Sequence, residues 1–166
     1  MDQDGGDQAG RDRTGRDQDA RGLSVSHIGI CVSDLAASLR FYCDGLGFEE
    51  VASHEVGEEF AALMEVDGVR LRSRMIRRDG VTLELLDYVA PGTTGSAERR
   101  PMNQLGLTHL SLRVADIESV AATIESLGGT VVRSTRTTFD FAGTALDFLY
   151  CTDPDGVRIE LMDLGA

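Results

Sequence analysis

Lysine is absent from the 166 residues, and all sixteen basic side chains are arginine. Without a side-chain amine the chain can form no Schiff base and cannot supply the lysine of a phosphate-binding loop. Long apolar runs are missing too. None approaches the roughly 18–20 residues of a membrane span, and the N-terminus, rich in Asp, Gln, Gly and Arg, does not read as a signal peptide. Positive charge is scarce: 28 acidic residues outnumber 16 basic ones, for a formal net charge of -12. A phosphate backbone would be repelled, and no basic run interleaved with aromatics offsets this. The expectation is no nucleic-acid partner and no membrane. Cysteine is limited to Cys31, Cys43 and Cys151, an odd number with no Cys-x-x-Cys pair. That fits a reduced, cytoplasmic protein better than a disulfide or zinc-ribbon scaffold.

What is present suits one compact domain, with 42% of residues hydrophobic and 27% charged. Residues 1–22 stand apart. They hold six Asp and four Arg, and their only apolar side chains are Met1, Ala9 and Ala20, too few to offset the entropy of ordering. This stretch reads as a disordered leader, and residues 23–166 as the folded domain. With the leader set aside, 22 acidic and 12 basic residues remain, so the domain itself is acidic.

The folded part contains a repeat. Val-Ser-His-Ile-Gly-Ile-Cys-Val-Ser-Asp-Leu at 25–35 matches Leu-Thr-His-Leu-Ser-Leu-Arg-Val-Ala-Asp-Ile at 107–117, with a constant offset of 82. A second pair, Gly-Val-Thr-Leu-Glu-Leu-Leu-Asp from Gly80 and Gly-Val-Arg-Ile-Glu-Leu-Met-Asp from Gly156, follows at an offset of 76. Each half therefore opens on a segment bearing a histidine and closes on one bearing a glutamate. Between them, Leu35, Leu39, Tyr42 and Leu46 fall at helical spacing after Ser33 or Asp34 as N-cap, and Gly45 and Gly47 end the run. In the second half Ile117, Val120, Ala121, Ile124 and Leu127 follow Asp116 in the same way and stop at Gly128-Gly129.

Three strand-like segments follow each helix: 49–54, 70–76 and 81–88, then 130–134, 145–151 and 157–162. Turn chemistry at Arg78-Asp79-Gly80 and at Asp153-Pro154-Asp155-Gly156 separates the last two of each set. The fold class is α+β: two pseudo-symmetric βαβββ modules, 23–90 and 105–166, joined by a linker at 91–104. Together they are expected to form a cup-shaped mixed sheet with helices outside. Residues 58–66 read as an extra short helix in the first module, and 134–143 as a loop carrying Phe139 and Phe141 over a pocket mouth.

Side chains alternate along a strand, so His27 shares a face with Val25, Gly29 and Cys31, opposite the aliphatic Ile28, Ile30 and Val32. His109 likewise opposes Leu110, Leu112 and Val114. Glu84 opposes Val81, Leu83 and Leu85, and Glu160 opposes Val157, Ile159 and Leu161. All four polar side chains thus lie on faces that the helices do not cover. A single strand histidine is ordinarily a satisfied polar group, and a single glutamate ordinarily sits on a solvated face beside a residue such as Arg158. Recurrence of both types at equivalent positions is what makes the set a candidate site. Imidazole and carboxylate suit one divalent ion of Zn, Ni, Co, Mn or Fe, and four ligands leave two octahedral positions for water or a chelating substrate.

These motifs resemble the vicinal oxygen chelate superfamily, the glyoxalase, bleomycin-resistance and dioxygenase group. The resemblance rests on the His27 to Leu35 stretch, Phe41-Tyr42 with Leu46-Gly47-Phe48, Leu83-Glu84-Leu85, the His109 to Val114 stretch, and Asp153-Pro-Asp-Gly-Val-Arg-Ile-Glu160. It implies a metal held by His27, Glu84, His109 and Glu160, the pattern of glyoxalase I-like enzymes, with a close variant in methylmalonyl-CoA epimerases. The implied activity is that of an isomerase, lyase or epimerase moving a proton next to a chelated carbonyl through an enolate or enediolate, with Glu160 or Glu84 as base. The implied substrate is a small molecule, such as a thiol adduct or an acyl-CoA. An iron ring-cleaving dioxygenase and an antibiotic-binding resistance protein are the alternatives on the same fold.

Arg113, on the His109 face, is a candidate for holding a substrate carboxylate or phosphate, with an exposed rim arginine as the simpler reading. Cys31 is expected to be a small buried hydrophobe, and His54 a surface group. The assembly is expected to be a homodimer with a cup inside each chain.

Overall fold

The structure is a computed structural model that describes residues 22–165, so the proposed leader lies outside the described residues except for Gly22. In the first module β1 (Ile28–Cys31) leads to α1 (Leu35–Leu39), which widens into a π-helical turn at Arg40–Gly45. Then come β2 (Glu49–Val56), a 3-10 turn at Glu58–Phe60, α2 (Ala61–Met64), β3 (Arg70–Arg78) and β4 (Val81–Ala90). The second module runs β5 (Leu110–Arg113), α3 (Ile117–Ser126), β6 (Thr130–Val131), a 3-10 turn at Arg133–Thr135, β7 (Thr137–Phe141), β8 (Thr144–Thr152) and β9 (Arg158–Asp163). Among the described residues no helix is long and apolar enough to cross a membrane.

The repeat in the sequence is a repeat in three dimensions. Asp34 and Asp116 both adopt extended backbone, and each carboxylate accepts the N–H three residues on, from Ala37 and Ser119, at 3.0 Å. Each cap satisfies an N–H that the first helical turn leaves orphaned. The parallel pairings match as well: Ile28 lies opposite Leu83 in β1–β4 and Leu110 opposite Ile159 in β5–β9, which are equivalent residues of the repeat. One sheet has the order β1-β4-β3-β2 and the other β5-β9-β8-β6, with β7 paired to β8; all the remaining pairings are antiparallel. The α+β, two-module class is therefore as expected, built from two mixed sheets.

The modules share one core. Val32, Phe41, Tyr42, Leu83 and Leu85 of the first pack in the same buried cluster as Ala121, Ile124, Leu149, Ile159 and Leu161 of the second. Fully burying side chains of this size contributes roughly 1.5–3 kcal/mol each before entropy is counted. Gly129 is one place where the modules press together: a Cβ there would stand 2.8 Å from the Phe41 ring of the first module, 2.7 Å from Ile124 and closer still to the Thr152 carbonyl. Beside it the Tyr42 hydroxyl donates to Asp153 at 2.8 Å, and the Ser33 N–H donates to Asp155 at 3.0 Å. The π turn admits two consecutive aromatics, Phe41 and Tyr42, to this core, and neither has any exposure.

Several local expectations change. The segment 134–143 is not a loop, because β7 occupies Thr137–Phe141 and forms a hairpin with β8. Its threonines and phenylalanines favour a pleated surface, Phe139 stacks on Phe148 at 5.6 Å, and Ala142-Gly143 takes the two left-handed conformations of a primed hairpin turn. The helix expected at 58–66 shrinks to a 3-10 turn and one α turn, ended by Glu65 in the left-handed region, and Leu63 remains exposed. Cys31 is exposed rather than buried, because the face of β1 that bears it is uncovered.

Candidate metal centre

His27 immediately precedes β1, and Glu84 lies in the middle of the neighbouring β4 opposite Gly29. With no side chain at Gly29 in the way, the imidazole reaches diagonally across, and Nε2 comes within 3.0 Å of Glu84 Oε2. The other ring nitrogen, Nδ1, is 3.0 Å from the Ser26 hydroxyl. From β3, Ser73 Oγ donates to Glu84 Oε1 at 2.6 Å. Both functional atoms are therefore braced by hydroxyls from behind, the support that orients ligands in metal sites.

The second module repeats the arrangement. His109 immediately precedes β5, its Nε2 is 3.5 Å from Glu160 Oε2, and its Nδ1 is 2.9 Å from Thr108 Oγ1. Ser111 Oγ donates to Glu160 at 2.8 Å. Tyr150, the cross-strand partner of Glu160, meets the His109 ring in a T-shaped contact with centroids 5.6 Å apart. Burial and then the adjacent Glu160 carboxylate push the Tyr150 phenol up, so it stays a hydroxyl at neutral pH.

Each pair offers an imidazole nitrogen and a carboxylate oxygen on a half-exposed surface, the donor set of a borderline divalent ion. Among the described residues neither glutamate forms an ion pair with an arginine, so Arg158 does not neutralise Glu160 as it would on a solvated face. The two pairs do not converge, however. Among the described residues of one chain no group of three or more His, Cys, Asp or Glu side chains could hold a metal ion. A pair fits half a coordination shell, and the quartet is not assembled inside one chain. This corrects the expectation of a cup within each chain: the helices of both modules share one core, and this packing leaves the two His–Glu pairs apart.

Arg113 is exposed at the end of β5 and lines a concavity with Arg78 and Asp79, away from the cavity that His109 lines with β1. His54 is an exposed residue of β2. Although Cys31 is exposed, partial desolvation by its neighbours and then the Asp155 and Asp87 carboxylates push its thiol up, which leaves it a poor nucleophile. The supporting hydroxyls had a signal in the sequence, since Ser26 and Thr108 precede the two histidines at the repeat offset. Ser73, Ser111 and Tyr150 had none, because their role depends on cross-strand register.

A sequence model of the Glyoxalase/Bleomycin resistance protein/Dioxygenase superfamily matches residues 24–161. The chain belongs to that superfamily. A relative, the uncharacterised protein YaeR of Escherichia coli (strain K12), is 32% identical over 139 residues, which are 84% of this chain and 95% of YaeR. Among solved structures, the glyoxalase family protein from Bacillus cereus superposes with a TM-score of 0.73 at 18% identity, covering 87% of this chain and 95% of that one. The fosfomycin resistance protein FosX from Mesorhizobium loti does so with a TM-score of 0.53 at 18% identity, covering 86% and 92%. At these identities the structural likeness is one of fold. Superfamily membership agrees with the paired βαβββ modules and leaves the reaction to be argued from the site.

Proposed function

We propose that this superfamily member is a divalent-metal-dependent isomerase, lyase or epimerase, with His27 and Glu84 of one copy and His109 and Glu160 of a second copy completing the ligand set. The observation that carries the reading is the pair of repeat-equivalent His–Glu couples, each with a hydroxyl behind the imidazole and another on the carboxylate. Bound there, the ion supplies Lewis acidity to the neighbouring oxygens of a substrate, which acidifies the C–H beside its carbonyl. The chain's own part is to hold and move the proton: Glu84 or Glu160 takes it, and the Ser73 or Ser111 hydroxyl keeps that carboxylate oriented through the change in charge. Ser26 and Thr108 hold the imidazole rings in one orientation.

Sharing between two copies has its own support. β1 and β5 are the end strands of their sheets. Leading into them, Leu23 and Val25 on one side and Leu105 and Leu107 on the other occupy equivalent repeat positions, and all four are exposed, Val25 to 85% and Leu105 to 97%. Apolar side chains clustered beside an unpaired edge mark a surface that a partner covers.

Elemental analysis of the purified protein tests the metal, and mixing of variants tests the sharing. The expected result is stoichiometric Zn, Ni, Co or Mn, lost in Glu84→Ala, together with exchange of a substrate α-proton with solvent. Iron retained in Glu84→Ala, with oxygen uptake, would turn the assignment to ring cleavage. For the sharing, the H27A/E84A and H109A/E160A proteins each bind no metal alone. Mixed in equal amounts they recover about a quarter of the wild-type metal, one intact site in each mixed dimer. No recovery despite mixed-dimer formation would place the quartet inside one chain.

A further inference from the structure

Arg158 stands two residues before Glu160 in β9 and so on the same face of the sheet, and it is only 7% exposed. One guanidinium nitrogen donates to the Arg100 carbonyl at 2.6 Å, and the guanidinium carbon sits 5.1 Å from the centre of the Tyr150 ring. Among the described residues no carboxylate forms an ion pair with it, although Glu98 and Asp155 line a neighbouring cavity with it. Among the described residues the arginine ion pairs involve Arg72, Arg74, Arg78, Arg133 and Arg136. Arg158, Arg99 and Arg100 are in none of them.

A buried guanidinium without a counter-charge is costly, and in a chain of net charge -12 carboxylates are not in short supply. Arg99, Arg100 and Arg158 line one open cleft of about 590 Å³ with Tyr150, and no acidic side chain contributes to its wall. The linker is pinned at this place, because Gly156, in a left-handed conformation, runs directly against the Ala97 carbonyl. A group carrying two or three negative oxygens would neutralise the cluster and match the planar donors of guanidinium.

We propose that Arg99, Arg100 and Arg158 form an oxyanion-binding subsite that anchors a phosphoryl or carboxylate group of the substrate beside the His109–Glu160 pair. Tyr150 links the two, with the Arg158 guanidinium over its ring and the His109 ring in T-shaped contact with it. As a substrate anchor the subsite rests on the reaction proposed above; as an anion site it does not. The assignment moves the anion contact from Arg113 to arginines of the linker and β9.

The test is titration of inorganic phosphate into chelator-treated, metal-free protein in a non-phosphate buffer, followed by calorimetry or phosphorus NMR. Wild type is expected to saturate at millimolar phosphate. R99A/R100A, altered only at exposed linker side chains, is expected to bind at least about tenfold more weakly. R158Q is expected to lose binding, and if it fails to fold, the linker variant decides alone. The protein is metal-free throughout, so these outcomes do not depend on the metal reading, and R77A, at an exposed arginine of β3 outside the cleft, is expected to bind phosphate unchanged. Acetate and methylphosphonate, titrated in parallel, rank carboxylate against phosphoryl groups. Absence of saturation in wild type, or equal affinity in R99A/R100A, overturns the subsite.

Discussion

The two modules hold the same pair of side chains, a histidine and a glutamate, in different surroundings. In the first, Glu84 leans on Ser73 from β3 and meets His27 at 3.0 Å. In the second, Glu160 leans on Ser111 of β5, at the position where the first module has Gly29, and stands 3.5 Å from His109. Only the second module adds Tyr150, a buried arginine and the linker strapped over its last turn. In the proposed metal reading both pairs meet the same kind of ion, which leaves their geometry little room to change. The neighbours differ more, and those of the second module include a buried guanidinium. The comparison teaches that metal binding is expected to be symmetric between modules and anion binding one-sided.

Symmetry is the first point to break. Glu84→Ala and Glu160→Ala are each expected to lower metal affinity by at least about 100-fold, and Ser73→Ala and Ser111→Ala by about tenfold each, as for groups that only orient a ligand. Competition with a chelating dye measures all four. A large difference between Ser73→Ala and Ser111→Ala would show that one module dominates binding.

The junction between modules is the second. Gly129→Ala forces a methyl against the Thr152 carbonyl, Ile124 and the Phe41 ring at once, and is expected to destabilise the protein by about 2–4 kcal/mol in urea unfolding. Gly68→Ala, at a left-handed position with open space around it, is expected to cost about 1 kcal/mol for backbone strain alone. Equal losses would mean that the modules are not packed through Gly129.

The smallest effect concerns the other tie between modules. Burial pushes the Asp153 carboxyl up from 3.8 to about 6, against the lowering effect of its hydrogen bonds from Tyr42 and the Val157 N–H. The folded state therefore binds a proton more tightly than the unfolded one. The stabilisation from this group is fully present below pH 3.8 and is lost as pH rises through about 6, a change of about 2–3 kcal/mol at most. Asp153→Asn is expected to abolish this component while keeping the backbone contacts through its amide oxygen. Unfolding of both proteins at pH 5 and pH 7.5 checks it, and an identical pH dependence in the variant would remove Asp153 as the cause.

The local grammar of the chain was legible. Asp34 and Asp116 announce the helix starts, Asp79-Gly80 the β3–β4 turn, and the alternation around His27, Glu84, His109 and Glu160 places all four on uncovered faces. The β7 hairpin was not legible because Thr137 to Phe141 has no sequence match in the first module, although β7 pairs with β8 where the end of β2 pairs with β3. The π turn depends on Phe41 and Tyr42 both finding room in a core that the other module completes. Arg158 read as a plain partner for Glu160, since nothing in its neighbours in the chain says that the Arg100 carbonyl and the Tyr150 ring will close over it.

The sequence by itself determined the duplicated unit, the types of the four candidate ligands and the faces that carry them, because strand alternation, helix spacing and capping act within a few residues. Tertiary structure decided where those faces stand relative to each other. The shared core around Phe41 and Gly129 and the Tyr42–Asp153 bond hold the modules so that each His–Glu pair stands alone. The docked linker buries Arg158, which forms no ion pair among the described residues. Both outcomes follow from contacts between residues far apart in the chain, where packing and desolvation, rather than local pattern, set the energy.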